Sequence, residues 1–122
     1  MKKVLIVDDD SNIRFLFAEM LKMDGYEVLT ASTGTKALQL IYHDNFNLLI
    51  LDIKMPGIHG LEILRRLRER GDNVPIIICS AFEGMKDDFI IKSYGISDYL
   101  VKPVDVKLLS ASVRRSMSRN VN

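Results

Sequence analysis

Cysteine is almost missing from this chain. The single one, Cys79, lies in an apolar run, so no intramolecular disulfide framework is possible, which suits a reducing compartment. Charge of one sign is missing too: 17 Lys and Arg against 16 Asp and Glu leave a net +1. That balance gives no case for nucleic acid as the main partner of this domain. No apolar stretch approaches the length of a membrane span. The run Val4 to Val7, behind Met1-Lys2-Lys3, is too short for the apolar region of a signal peptide and ends in three aspartates. Internal repeats, low-complexity segments and linkers are absent as well. Gly34-Thr35-Lys36 has the tail of a phosphate-binding loop but lacks the required earlier glycine. The expectation is a soluble cytoplasmic protein with no membrane association. At 122 residues, 48% of them apolar, it forms one domain, 1–122, with a sizeable core.

The chain is organised around Leu48-Leu49-Ile50-Leu51-Asp52, followed by Ile53-Lys54-Met55-Pro56-Gly57. Four apolar residues bounded by Asn47 and a Pro-Gly turn read as a short strand buried on both faces, the kind found inside a parallel sheet. Val4 to Val7 is a second such run. From Ser11 the period becomes helical through Ile13, Leu16, Phe17, Met20 and Leu21, with Ser11 or Asp10 as the N-cap, and Gly25 ends the helix. Tyr26 to Ala31 reads as a strand. Thr33 or Gly34 opens a helix through Ala37, Leu38 and Ile41. After the loop from Met55 to Gly60 comes a helix with Leu61, Leu64 and Leu67 inward and Glu62, Arg65, Arg66 and Arg68 outward. Pro75 to Cys79 is a fourth apolar run. Phe82 to Tyr94 is the weakest helix pattern; Ser97 to Val101 reads as a fifth strand, Asp105 to Met117 as a last helix, and 119–122 as a frayed tail. Five βα repeats predict one α/β domain with a parallel sheet.

In such sheets ligands gather at the carboxyl ends of the strands. There this sequence places Asp8, Asp9 and Asp10 after the first strand, Asp52 after the third, Ser80 after the fourth and Lys102 after the fifth. Asp52 alone could be a cap or a metal ligand. Several carboxylates in one pocket repel and raise one another's pKa unless a cation relieves them. Mg²⁺, which uses one or two carboxylates with phosphate and water, is a suitable one. A phosphoryl group then has a place, its oxygens neutralised by metal and Lys102 while a carboxylate attacks phosphorus. An ammonium ~4 Å from an anion is worth ~4 kcal/mol at an effective dielectric of ~20, so Lys102 matters.

Val7-Asp8-Asp9, Leu51-Asp52 with Met55-Pro56-Gly57 and Gly60, Ser80-Ala81, and Tyr99 with Lys102-Pro103 together resemble the response-regulator receiver domains of two-component signalling. The resemblance covers essentially the whole chain, with the pieces in family order and approximate spacing. It implies a flavodoxin-like (βα)₅ fold, a doubly wound parallel five-stranded sheet of order 2-1-3-4-5. It implies that Asp52 accepts a phosphoryl group from a phosphohistidine, that Asp9, Asp52 and the main-chain carbonyl of Lys54 ligate Mg²⁺ (or Mn²⁺), and that Asp8 supports the metal through water or from behind. Ser80 then binds a phosphoryl oxygen, Lys102 pairs with the phosphoryl charge, and Tyr99 turns inward when Ser80 moves. Lys102-Pro103 is expected to be cis. Lys54 and Phe82 flank the path of attacking water, and their bulk implies a long-lived phosphoryl group. Two departures stand out: His59 replaces the common Asp before the last loop glycine, and Val104 replaces the common Phe after Lys-Pro.

By the same resemblance the partners are a histidine kinase or histidine phosphotransfer protein and a downstream protein effector. Their specificity is expected on the first helix (Arg14, Phe15 and Ala18 outward) and around Val104, with the fourth and fifth helices as the alternative surface. The protein would be a monomer or weak dimer that catalyses its own phosphorylation and dephosphorylation and is not a conventional turnover enzyme. With no output domain in the chain, it would act like chemotaxis-type regulators or the phosphorelay carrier of spore-forming bacteria; Lys54 and the domain's size look more like the latter. The alternatives are a receiver excised from a larger transcriptional regulator and a phosphorylation-independent interaction module. An aspartate-nucleophile phosphatase fits less well, since Asn12 stands where its threonine is expected. Taken singly, several residues have plainer readings: Ser80 as a strand-end hydroxyl, Lys54 as a solvated side chain, Cys79 as core, His43 and His59 as surface, and Arg114, Arg115 and Arg119 as a solvated basic helix end.

Overall fold

The computed structural model describes residues 1–55 and 57–118. Its strands are β1 (Lys3–Val7), β2 (Glu27–Ala31), β3 (Leu48–Leu51), β4 (Ile76–Ser80) and β5 (Asp98–Val101). They form one sheet in the order β2-β1-β3-β4-β5, with every pair parallel. Helices α1 (Ser11–Met23), α2 (Gly34–His43), α3 (Gly60–Glu69), α4 (Phe89–Ser93) and α5 (Val106–Ser118) alternate with them. This is the flavodoxin-like arrangement that the resemblance implies.

The unbroken apolar runs follow from burial on both faces. Side chains alternate along a strand. Leu5, Val7, Leu49, Leu51, Ile76 and Ile78 therefore pack against α2, α3 and α4, including Ala37, Leu38, Ile63, Leu64, Leu67 and Ile91. Val4, Ile6, Leu48, Ile50, Ile77 and Cys79 pack on the other face against Phe17, Ala18 and Leu21 of α1 and Leu109, Val113 and Met117 of α5. Leu5 is wholly buried at the centre of the first layer. Leu5→Ala is expected to cost about 2–5 kcal/mol, read as a lower urea midpoint at unchanged slope.

Several local expectations are settled or corrected. Of the two expected candidates Asp10 caps α1, its carboxylate accepting from the N–H groups of Asn12 and Ile13. Ala18 is buried rather than outward, because it belongs to the stripe of α1 that meets the sheet. Ile63 joins Leu64 and Leu67 as a fully buried residue of α3, while Leu61 packs half-buried against the same layer. Arg68 turns from the expected solvent face to donate to the carbonyls of Tyr94 and Asp72. The single helix expected from Phe82 to Tyr94 is instead a 3-10 turn (Glu83–Met85) followed by the five-residue α4. Gly84 and the Asp87-Asp88 pair lie within that segment, and the Asp88 carboxylate accepts from Ile90 and Ile91 N–H, starting the helix late. The tail at 119–122, including Arg119, lies outside the described residues. Among the described residues no helix is long and apolar enough to cross a membrane.

Candidate functional site

The site begins with register. Val7 pairs with Ala31 on one side and Leu51 on the other, so β1 and β3 end level and Asp8 and Asp52 emerge side by side. Asp52 N–H donates to the Val7 carbonyl at 2.9 Å, carrying the pairing one residue past the strand. Both carboxylates are almost fully buried, Asp8 at 2% and Asp52 at 6% exposure, while Asp9 is exposed.

Lys102, brought in from the end of β5, bridges them: its Nζ lies 2.7 Å from Asp8 Oδ2 and 3.3 Å from Asp52 Oδ2. Asp8 Oδ1 accepts from Asp10 N–H at 2.9 Å, and Asp52 Oδ1 from Lys54 N–H at 3.3 Å. Burial first, and the charge of Asp8 second, raise the Asp52 carboxyl above its ordinary value, although Lys102 opposes the rise. Burial alone would lower the Lys102 ammonium; its hydrogen bond and charge interaction with Asp8, helped by Asp52, outweigh that and hold it raised. The pocket is thus an anionic hole with one resident cation.

One oxygen each from Asp8, Asp9 and Asp52 lie within 4.8 Å of one another. Two buried carboxylates and an exposed third form a hard oxygen donor set open to solvent on one side, which fits Mg²⁺ or Mn²⁺.

A second group of sequence candidates collects at the end of β4. Ser80 is fully buried and its Oγ accepts from Phe82 N–H at 3.1 Å. The Tyr99 hydroxyl donates to the Phe82 carbonyl, and burial raises that phenol while the neighbouring Ser80 hydroxyl counters it. Tyr99 is thereby held inward while Ser80 is still in its turn, which corrects the expectation that it turns inward only when Ser80 moves. The Lys54 ammonium lies 4.7 Å from the centre of the Phe82 ring, joining the β3–α3 and β4–α4 loops. Lys102-Pro103 is cis, as expected. Val104 packs half-buried against the α1 and α5 layer. Phe15 is exposed, and His59 precedes α3 without a side-chain capping bond. Cys79 is core, its thiol pushed up to about 12 by burial.

The sequence singles out Arg14, Asp10 and Gly60 but does not disclose the part each plays in the site. Arg14, read as a surface residue, donates from its guanidinium to the Asp8 carbonyl at 2.7 Å. Asp10 orients Asp8 through its backbone N–H while capping α1. Gly60 packs so closely on β3 that a methyl group there would meet the Asp52 carbonyl oxygen at 2.2 Å. The first two act through backbone atoms, which residue type does not disclose.

A profile of the response regulator receiver domain matches residues 4–114. The chain belongs to the receiver-domain family. Among curated relatives, a probable transcriptional regulator ycf27 of Cyanophora paradoxa is 38% identical over 99% of this chain and 50% of its own length. Response regulator MprA of Mycobacterium leprae is 35% identical over 96% of this chain and 51% of its own. This receiver therefore spans about half the length of the curated relatives it matches. Of solved structures, the response regulator TrrA of Thermotoga maritima, in complex with Mg²⁺-BeF, superposes with a TM-score of 0.86 at 38% identity, covering 95% of this chain and 99% of TrrA. The receiver domain of Francisella response regulator 1452 superposes at 0.91 with 31% identity, covering 98% of each chain.

Proposed function

We propose that residues 1–122 act as a single receiver domain in which Asp52 accepts a phosphoryl group from a phosphohistidine on a histidine kinase or histidine phosphotransfer protein. The phosphorus–nitrogen bond of the donor breaks as a bond forms between an Asp52 carboxylate oxygen and phosphorus, and the released imidazole takes its proton from solvent. The observation that carries this reading is the convergence of three carboxylates within 4.8 Å, of which the two buried ones, Asp8 and Asp52, also pair with the Lys102 ammonium. The residues that would hold Mg²⁺ are Asp9 and Asp52, with Asp8 behind them and the Lys54 main-chain carbonyl beside them; the bound ion supplies positive charge for the phosphoryl oxygens. Lys102 neutralises the phosphoryl group from the β5 side. Ser80 leaves its turn with Phe82 to reach a phosphoryl oxygen, which frees the Phe82 backbone while Tyr99 stays inward, and biases the last two βα units. A cytoplasmic setting fits this chemistry.

Incubation of the purified protein with acetyl phosphate and MgCl₂ tests the proposal. Intact mass is expected to rise by one phosphoryl group per chain, and only with the metal present. No shift, together with no BeF₃⁻ binding, would leave a phosphorylation-independent interaction module.

Lys54 stacked on Phe82 covers the side from which water would attack the acyl phosphate, so the modified state is long-lived. Replacing both with alanine is expected to speed phosphate loss roughly 2- to 5-fold, the weight of an exposed cation–π contact of about 0.5–1 kcal/mol. An unchanged decay rate refutes the shielding role.

A second reading concerns the output. Relatives called transcriptional regulators, twice as long as this chain, favour a receiver that governs a transcriptional effector over one that passes the phosphoryl group onward. Mixing phosphorylated protein with a histidine phosphotransfer protein separates the two, since only a relay moves the group to histidine.

A further inference from the structure

We propose that Gly34, at the first turn of α2, is a positioning residue for the acidic site. The inference rests on the receiver reading above and adds a residue outside the pocket to it. A methyl group built on Gly34 would lie 2.1 Å from the Ile58 carbonyl oxygen, 2.7 Å from its Cβ and 2.8 Å from its carbonyl carbon. The clash is largely with backbone, so no rotamer change relieves it; the β3–α3 loop itself must move. That loop carries the site. It starts at Asp52, includes the Lys54 carbonyl, and is pinned at its far end where Gly60 N–H donates to the Ile53 carbonyl at 3.1 Å. Between the two ends, the Ile53 and Met55 side chains are buried in the α2–α3 layer. Gly60 and the buried side chains fix the loop from β3 and α3, and Gly34 admits it against α2.

The α2 end is itself firmly placed. Thr33 caps the helix through Lys36 N–H, and the carbonyl of Ala31, the last residue of β2, accepts from Asp8 N–H. The start of α2 is therefore tied through β2 to the same strand end that supplies Asp8. A Cβ at position 34 forces the Ile58 backbone to shift, and the consequence we infer is a displaced Lys54 carbonyl beside Asp52.

The test compares Gly34→Ala with Gly25→Ala by Mg²⁺ titration, followed by calorimetry and by amide shifts of residues 53–55, and by acetyl phosphate uptake at several Mg²⁺ concentrations. Gly25 has a left-handed backbone (φ 95°) and open space around it, so its alanine variant loses stability by backbone strain alone, remote from the site. Gly34→Ala is expected to weaken Mg²⁺ binding about tenfold, in the range seen when the supports of metal ligands are changed. Its uptake rate should recover at saturating Mg²⁺. Gly25→Ala should keep the wild-type Mg²⁺ affinity. Equal affinity in both variants, with the wild type binding Mg²⁺ and taking up phosphate, overturns the positioning role alone; a wild type that does neither overturns the receiver reading as well. If Gly34→Ala does not fold in plain buffer, trimethylamine N-oxide, which favours the compact state, restores a folded population on which the Mg²⁺ titration is repeated. Weaker Mg²⁺ binding there supports the role, and an unchanged affinity overturns it.

Discussion

Asp52→Asn is expected to take up no phosphoryl group from acetyl phosphate and, in the absence of metal, to unfold at a higher temperature than the wild type. The first effect follows from replacing the attacking carboxylate with an amide of nearly the same shape. The second follows from electrostatics. Burial and the nearby Asp8 raise the Asp52 carboxyl above its ordinary 3.8, so the folded protein binds this proton more tightly than the unfolded chain does. Stability contributed by Asp52 is therefore lost as pH climbs from 3.8 through the raised folded value. Above the raised folded value the penalty is fully present, and the amide removes it. The advantage of the variant should vanish below pH 3.8. Mg²⁺ reverses the comparison: saturation at 100 times the dissociation constant stabilises a binding-competent protein by about 2.7 kcal/mol. Thermal midpoints with and without MgCl₂, at neutral and acid pH, give all of these differences in one experiment. A variant no more stable than the wild type at neutral pH would mean that Lys102 already offsets the Asp52 charge in full.

Lys102→Met should produce the largest loss of stability of any single change at the site. The ammonium lies between two buried carboxylates, and its own side chain is only 17% exposed. Removing one member of a buried ion pair costs about 3–5 kcal/mol because the partner charge is left unpaired. Partial solvent access to Lys102 places the expectation near 3 kcal/mol, roughly a 1–3 M fall in urea midpoint for a domain of this size. The pH dependence gives the mechanism a signature. In the wild type the raised Lys102 pKa contributes stability that is complete below 10.5 and is lost as pH rises through the folded value. The variant lacks that alkaline loss. Its own deficit shrinks on acidification, as Asp52, whose carboxyl is already raised by burial, takes up a proton in place of the missing cation. Mg²⁺ should restore part of the stability for the same reason. A deficit equal at neutral and acid pH would point to lost packing of the lysine stem instead.

Much of the domain could be read along the chain. Val4–Val7 and Leu48–Leu51 were recognisable as strands covered on both faces because each is an unbroken apolar run, and that pattern has few other uses. Asp8, Asp52, Ser80 and Lys102 could be placed together because each directly follows such a run, and parallel strands deliver their ends to one rim. Where the pattern was diluted, the reading failed. Between Phe82 and Tyr94, Gly84 and the capping Asp88 broke a helix whose apolar residues alone suggested continuity. Ala18 and Arg68 were misassigned because residue type says little about which side of a helix a small or amphipathic side chain will take.

The sequence by itself determined the alternation of strands and helices, the residues that end each strand, and hence the chemical inventory of the site. Those properties are local: they depend on periodicity and on the residue that interrupts it. Only the tertiary structure decided that Lys102 joins Asp8 to Asp52, that Lys54 lies on Phe82, that Arg14 holds the Asp8 carbonyl, and that Gly34 and Gly60 leave room for the loop carrying Asp52. Each of these pairs residues from different elements, and several act through backbone atoms or through the absence of a side chain. Their distances follow from how twisted layers pack, a property that no single segment of the chain contains.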